Sequence, residues 1–135
     1  MAQYADAGNL IPAGDSGPVG SLSLDDVARK SAVLAGFCAE LGRPFASVLR
    51  TYTAVPVVIA STPAQVSEKL HAIPERLRLR FRTTTIAGTP ADVVRAFHPL
   101  VARGITYFIT YIMGNDLETL ELLAEQVQPA LQASL

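Results

Sequence analysis

The sequence has no tryptophan, one cysteine, two histidines and a formal net charge of only -1, and each shortage removes a class of function. A lone cysteine, Cys38, cannot close an internal disulfide, so a disulfide scaffold is excluded and a reducing, cytoplasmic setting is the expectation. With so little net charge there is no global field to gather nucleic acid or a membrane surface, and neither is expected as a partner. No unbroken apolar stretch approaches the roughly 18 residues needed to span a bilayer. Met1 to Asp6 lack the basic-then-apolar pattern of a secretory signal. His71 and His98 fall on different expected helices, without carboxylates or cysteines at metal-ligand spacing, so no metal site is expected. The chain also lacks a P-loop, a dinucleotide-binding glycine pattern and a nucleophile–base pair.

What is present is a globular composition, half apolar and 17% charged, over 135 residues. Residues 1–5 read as the end of a helix and 6–11 as a short strand. Residues 12–23 (PAGDSGPVGSLS) are turn-rich and read as a loop. A helix is expected over Leu24–Leu41, capped by Ser23, with Asp25 and Asp26 in its first turn. Its apolar stripe runs through Val27, Leu34 and Cys38, which makes Cys38 a core residue rather than a reactive thiol. Gly42 suits the position after the helix, and Pro44 prevents continuation. Residues 49–60 (LRTYTAVPVVIA) read as a strand disturbed by Pro56. Thr62 and Pro63 open a short helix to Ala72.

In PERLRLRFRTTT, Arg76, Arg78, Arg80 and Arg82 alternate with apolar residues, and a period of two favours an extended segment with four guanidinium groups on one face. Thr89 and Pro90 open a helix whose stripe is Val93, Val94, Phe97 and Val101, with Pro99 expected to kink it or start a new turn. ITYFITYIM (105–113) is the clearest strand. Along it, Tyr107 and Tyr111 read chiefly as core. Asp116 caps a final helix with its stripe at Leu117, Leu120, Ala124, Val127 and Leu131. Strands separated by helices imply parallel pairing. Three parallel strands leave open edges, so further strands are expected from a missing N-terminal half or from another copy in a homo-oligomer.

Five stretches carry a resemblance to a known family. YADAGN (4–9), LAGFCAELGRP (34–44), GTPADVV (88–94), RGITYFI (103–109) and DLETLELLAEQVQPAL (116–131) resemble, in order and spacing, segments of the luciferase-like (bacterial luciferase family) oxidoreductases. The cysteine helix and the last helix look most like the deazaflavin-dependent branch. The resemblance implies an α/β fold in which residues 1–135 form a partial domain, the C-terminal βα units (about strands 6–8) of a TIM-type (β/α)8 barrel, incomplete on its own. It implies hydride transfer on a small organic substrate, with coenzyme F-420 as cofactor or, alternatively, FMN. The cofactor would lie at the C-terminal ends of the strands.

Under that implication Asn9, at the end of the first strand, either hydrogen-bonds the cofactor or caps its loop. Gly88 and Thr89 either hold a phosphate at a helix N-terminus or form an ordinary cap. Arg76, Arg78, Arg80 and Arg82 either attract an anionic cofactor tail or form a solvated face paired with the acidic last helix. No catalytic residue is assigned. Competing expectations are a non-catalytic truncated remnant, a half-barrel that completes itself by oligomerising, and an anion- or partner-binding module using the arginine row. The 135 residues alone are not expected to be active.

Overall fold

A computed structural model describes residues 3–10, 23–54, 56–82 and 84–133. The loop expected over residues 12–23 lies outside them except for Ser23. Among the described residues no helix is long and apolar enough to cross a membrane.

The chain opens with strand β1 (Ala7–Leu10) and resumes as helix α1 (Leu24–Glu40). Ser23 caps α1 as expected, its Oγ accepting from Asp26 N–H at 3.1 Å. The helix ends in a Schellman arrangement. Gly42 takes φ 64°, its N–H reaches the Ala39 carbonyl at 3.1 Å, and Arg43 N–H reaches the Cys38 carbonyl at 2.9 Å. Two orphan carbonyls are thereby satisfied, and the left-handed turn needs glycine. Cys38 is fully buried against Val48, with Leu34 and Phe45 alongside, so its packing role holds.

Strand β2 (Leu49–Ala54) pairs in parallel with β1, and a short strand β3 (Val57–Ile59) follows beyond the buried Pro56. The single expected strand over 49–60 is therefore two. Proline cannot donate to a ladder, and on either side of it the chain serves different sheets. Helix α2 (Pro63–Ala72) has a capping box of Thr62 and Gln65, with proline in its first turn.

The next segment corrects the sequence reading. Glu75–Arg80 form a helix, α3, not an extended row. Arg78 N–H bonds the Pro74 carbonyl at 3.1 Å and Phe81 N–H the Leu77 carbonyl at 3.0 Å. Residues two apart on a helix point to nearly opposite sides, so Arg76, Arg78 and Arg80 do not share a face.

A further strand, β4 (Ile86–Gly88), then pairs in parallel with β3, and the sequence reading had missed it. Helix α4 (Pro90–Val101) runs through Pro99 as one element. Strand β5 (Tyr107–Thr110) pairs in parallel with β2, giving a three-stranded sheet in the order β1-β2-β5. The last helical stretch comprises α5 (Leu117–Leu122), a π-helical turn over Leu123–Val127, and α6 (Gln128–Gln132). Pro129 removes a donor and crowds the preceding turn, and a widened turn there relieves it.

The helices lie on one face of the sheet. Leu10, Tyr52 and Phe108 form a row across that face and meet Val27, Val93, Phe97, Ile105 and Val127 in the main core. Phe108 packs against Phe97 at 4.7 Å and edge-on to Tyr52 at 6.4 Å between ring centroids. The opposite row is Asn9, Thr51 and Tyr107, and no described helix belongs to a core on that side. Tyr107, Ile109 and Tyr111 are 54%, 45% and 52% exposed, so the apolar composition of 105–113 is only half used in this structure.

Candidate functional site

Alternation along the three strands sorts their side chains onto two faces. Parallel register brings Asn9 beside Thr51, Thr51 beside Tyr107, and Thr53 beside Ile109 on the open face. The Asn9 amide is engaged by both threonines. Its Nδ2 donates to Thr53 Oγ1 at 2.9 Å, and its Oδ1 accepts from Thr51 Oγ1 at 2.9 Å. Asn9 is therefore held from the neighbouring strand, and the loop that it would otherwise cap lies outside the described residues. Asn9 stays exposed, and an amide has further donor and acceptor capacity for the carbonyl and nitrogen edge of a heterocycle. Thr51 is almost fully buried beneath this cluster, while Tyr107 stands open.

At the C-terminal end of β5, Tyr111 packs against Phe81, the residue that ends α3, with ring centroids 6.3 Å apart. The Arg80 guanidinium lies 5.3 Å from the Phe81 ring centre. The arginine segment is thus anchored where β5 ends, next to the open face. Arg76, Arg78, Arg80 and Arg82 are all exposed, and among the described residues none pairs with a carboxylate. The expected pairing with the last helix does not form. Of those acids, Asp116 and Glu118 meet Lys69 instead.

Gly88 and Thr89 do lie at the C-terminal end of a strand and the start of α4. The turn is already occupied by the chain's own anion, however. Asp92 Oδ2 accepts from Thr89 N–H at 3.0 Å and from Thr89 Oγ1 at 2.7 Å. A side chain at Gly88 would meet Asp92 Cβ at 2.6 Å, so glycine allows this close approach. The Thr89 hydrogen bonds hold the Asp92 carboxyl below the usual carboxylate range. A phosphate at the same turn would face a negative charge where it needs donors. The three groups singled out in the sequence therefore do not converge on one point. Asn9 sits on the open face, the arginines are near the end of β5, and Gly88 and Thr89 form a capped helix start.

A network that the sequence did not reveal lies at the C-terminal end of β3. Lys69 Nζ donates to the Ile59 carbonyl at 2.7 Å, to Asp116 Oδ1 at 2.7 Å and to Glu118 Oε2 at 2.9 Å. The fully buried Thr119 completes it: Ile59 N–H donates to Thr119 Oγ1 at 2.9 Å, and Thr119 N–H donates to Asp116 Oδ1 at 3.1 Å. Partial burial pushes the Asp116 pKa up, but hydrogen bonds from Lys69 and Thr119 outweigh it and hold the carboxyl below its ordinary value. For Lys69, burial pushes the pKa down, and the two carboxylates more than offset this. The only sequence signal was Thr119 in place of the Glu or Gln of a capping box. That threonine's hydroxyl serves strand β3 as well as the cap of its own helix.

His71 Nδ1 lies 2.6 Å from the Ser67 carbonyl of its own helix, and no group of three metal-ligating side chains occurs among the described residues.

No family model matches the sequence, and no curated protein matches it. Solved structures do match the fold. An EDTA monooxygenase from Chelativorans sp. BNC1 superposes with a TM-score of 0.72 at 18% identity, over 98% of this chain and 41% of its own. The coenzyme F420 dependent tetrahydromethanopterin reductase from Methanopyrus kandleri gives 0.61 at 13% identity, over 96% of this chain and 46% of its own. A riboflavin lyase solved with modified FMN and riboflavin gives 0.67 at 13% identity, over 98% of this chain and 40% of its own. The chain spans less than half the length of each. A monooxygenase, an F420-dependent reductase and a lyase solved with modified FMN share this fold, which fits the resemblance read in the sequence. The fold is part of a TIM-type barrel.

Proposed function

We propose that this chain forms the C-terminal part of a luciferase-like oxidoreductase that transfers hydride between a flavin-type cofactor and a small organic substrate. The cofactor is coenzyme F-420, with FMN as the alternative. The observation that carries the reading is the open face of the parallel sheet, where Thr51 and Thr53 hold the Asn9 amide outward beside exposed tyrosines. In barrel enzymes the cofactor mouth lies at the C-terminal ends of the strands, the end toward which Thr53 and its register partner Ile109 follow on this face. Two structural neighbours are a coenzyme F420 dependent reductase and a riboflavin lyase solved with modified FMN, which supports a cofactor of this type.

The residues suit such a group. Asn9 offers donor and acceptor to a ring carbonyl or nitrogen, and Tyr107 and Tyr111 offer flat apolar surface. The exposed arginines near the end of β5 suit an anionic tail better than the Gly88–Thr89 turn, which Asp92 already fills. The redox chemistry belongs to the bound cofactor, while this chain orients it and shields one side of it.

The test is titration with F-420 and with FMN, followed by absorbance and fluorescence, on the 135-residue chain and on a version extended by preceding βα units. Binding by the extended version, weakened by Asn9→Ala, is the expected result. Failure of both versions to bind either cofactor would refute the reading. Selective loss of F-420 binding when the four arginines are replaced by glutamine separates the tail contact from the ring contact.

A further inference from the structure

The hydrogen bonds around Asn9 have a direction, and a buried residue sets it. Asn9 Oδ1 lies 2.9 Å from Thr51 Oγ1 and 3.3 Å from Thr53 Oγ1, and Asn9 Nδ2 lies 2.9 Å from Thr53 Oγ1. An amide turned end for end keeps its shape, so the partners decide which end is which. Thr51 is only 5% exposed, and among the described residues its hydroxyl has Asn9 as its sole partner. With the amide reversed, Nδ2 would face Thr51, and the Thr51 proton would be buried without an acceptor. Folded proteins avoid that arrangement.

The order that satisfies the buried hydroxyl therefore runs one way. Thr51 donates to Asn9 Oδ1, Asn9 Nδ2 donates to Thr53 Oγ1, and a hydroxyl that accepts there keeps its own proton. The approach of Thr53 Oγ1 to Asn9 Oδ1, at 3.3 Å, is long for an O–H···O bond. Thr53 is half-buried and shares the open face with Asn9 and Tyr107, with Ile109 beside it in register. Its proton is left for a ligand on that face, as is the second Nδ2 proton of Asn9.

We propose that Thr53 is a ligand-binding residue of the open face, donating its hydroxyl proton to an acceptor on the bound cofactor, and that Thr51 is the positioning residue that fixes this direction. Thr53 and Asn9 then present two neighbouring donors. These suit two neighbouring acceptors, such as the N–C=O edge of a flavin or deazaflavin ring, and disfavour an edge that carries its own N–H. Negative charge gathers on that N–C=O edge when such a ring is reduced. Two donors there hold the reduced ring more tightly than the oxidised one. This assignment rests on the flavin-type reading of the site; it specifies the ring edge recognised and the residue that recognises it.

Proton NMR on the 135-residue chain without ligand reads the direction. The expected result is a Thr51 hydroxyl proton protected from exchange and close to Asn9, with the protection lost in Asn9→Ala. Fast exchange at Thr51, or protection at Thr53 instead, overturns the proposal whatever the chain binds. On the version extended by preceding βα units, Thr53→Val should raise the dissociation constant for FMN or F-420 about tenfold, the effect of one hydrogen bond, and Thr53→Ser should recover it to within about twofold. Thr53→Val should also weaken reduced FMN more than oxidised FMN. A tenfold difference between the two forms lowers the potential of bound FMN by about 30 mV for a two-electron couple. A merely structural role would weaken both forms alike. Thr51→Val, at a residue buried away from the ligand, should shift the potential in the same direction. Cofactor binding that Thr53→Val leaves within about twofold removes this inference and keeps the functional reading. Failure of the extended version to bind either cofactor removes both.

Discussion

Replacing Lys69 by methionine keeps most of the apolar stem and removes the ammonium that ties α2 to the end of β3 and to the loop after β5. Three acceptors lose a charged donor: the Ile59 carbonyl, Asp116 and Glu118. Glu118 is exposed enough for water to replace the lysine. Asp116 keeps the Thr119 amide and competes with the Ile59 carbonyl for the single Thr119 hydroxyl proton, with Oγ1 at 2.7 Å from Asp116 and 3.0 Å from Ile59 O. One buried acceptor is therefore left short. A hydrogen bond to a charged group contributes about 1.5–3 kcal/mol, and leaving a buried partner unmet costs about as much. Lys69 and Asp116 side chains are only 21% and 20% exposed, so screening removes little. The expected loss is about 2–3 kcal/mol, which for a domain of this size lowers Tm by roughly 6–12 °C. Urea unfolding by circular dichroism, at one fixed protein concentration, measures it. A cycle with Asp116→Asn should show a coupling of about 1 kcal/mol or more. A loss below about 0.5 kcal/mol, or no coupling, would mean that the network decorates the end of β3 without holding it.

Three further outcomes follow from the same contacts. Because the folded pKa of Asp116 is lowered, its contribution is present above the ordinary carboxylate value of about 3.9 and disappears as pH falls through the lower folded value. Because that of Lys69 is raised, its contribution is present below about 10.4 and disappears as pH rises through the higher folded value. Stability should therefore be flat across neutral pH and fall at both extremes, with both flanks blunted in Lys69→Met. Gly104→Ala should cost more than about 1 kcal/mol in the same unfolding assay, because Gly104 holds φ 80° and a Cβ would stand 2.6 Å from Arg50 Nη1. An unchanged midpoint would place that turn elsewhere. Cys38 should resist a thiol reagent until the chain unfolds, and Cys38→Ser should destabilise by about 1–2 kcal/mol through a buried hydroxyl. Rapid native labelling would contradict its burial.

Punctuation in the sequence carried most of the fold. Ser23, Gly42, Thr62–Pro63, Thr89–Pro90 and Asp116 mark helix ends through local chemistry, and the structure uses each of them. Period misled at the arginine row. Leucine and arginine alternate from Arg76 to Arg80, but both are strong helix formers and none is β-branched, so propensity and the Pro74 start outweighed a pattern of two. Strand β4 was illegible because three residues ending in glycine, Ile86–Gly88, carry almost no periodic signal, and its pairing with β3 is a long-range event. Of the site, Asn9 was readable from its place at a strand end. Its threonine partners were not, since parallel register between strands 40 residues apart is unspecified by either strand alone.

Strand β5 bears on the proposed function. Tyr107, Ile109 and Tyr111 suit a strand covered on both faces, yet helices cover only one face here. A lone sheet bearing such a face and two bare edges would invite unspecific pairing. Exposed lysine or proline on the edge strands would blunt it, but β1 (AGNL) and β5 (YFIT) carry neither. Their composition is therefore that of strands meant to be paired and covered. The Asn9–Thr51–Thr53 cluster adds the polar element that an uninterrupted core would exclude. A ligand mouth accommodates both observations: apolar walls closed by further strands, with a few fixed amide and hydroxyl groups at the strand ends.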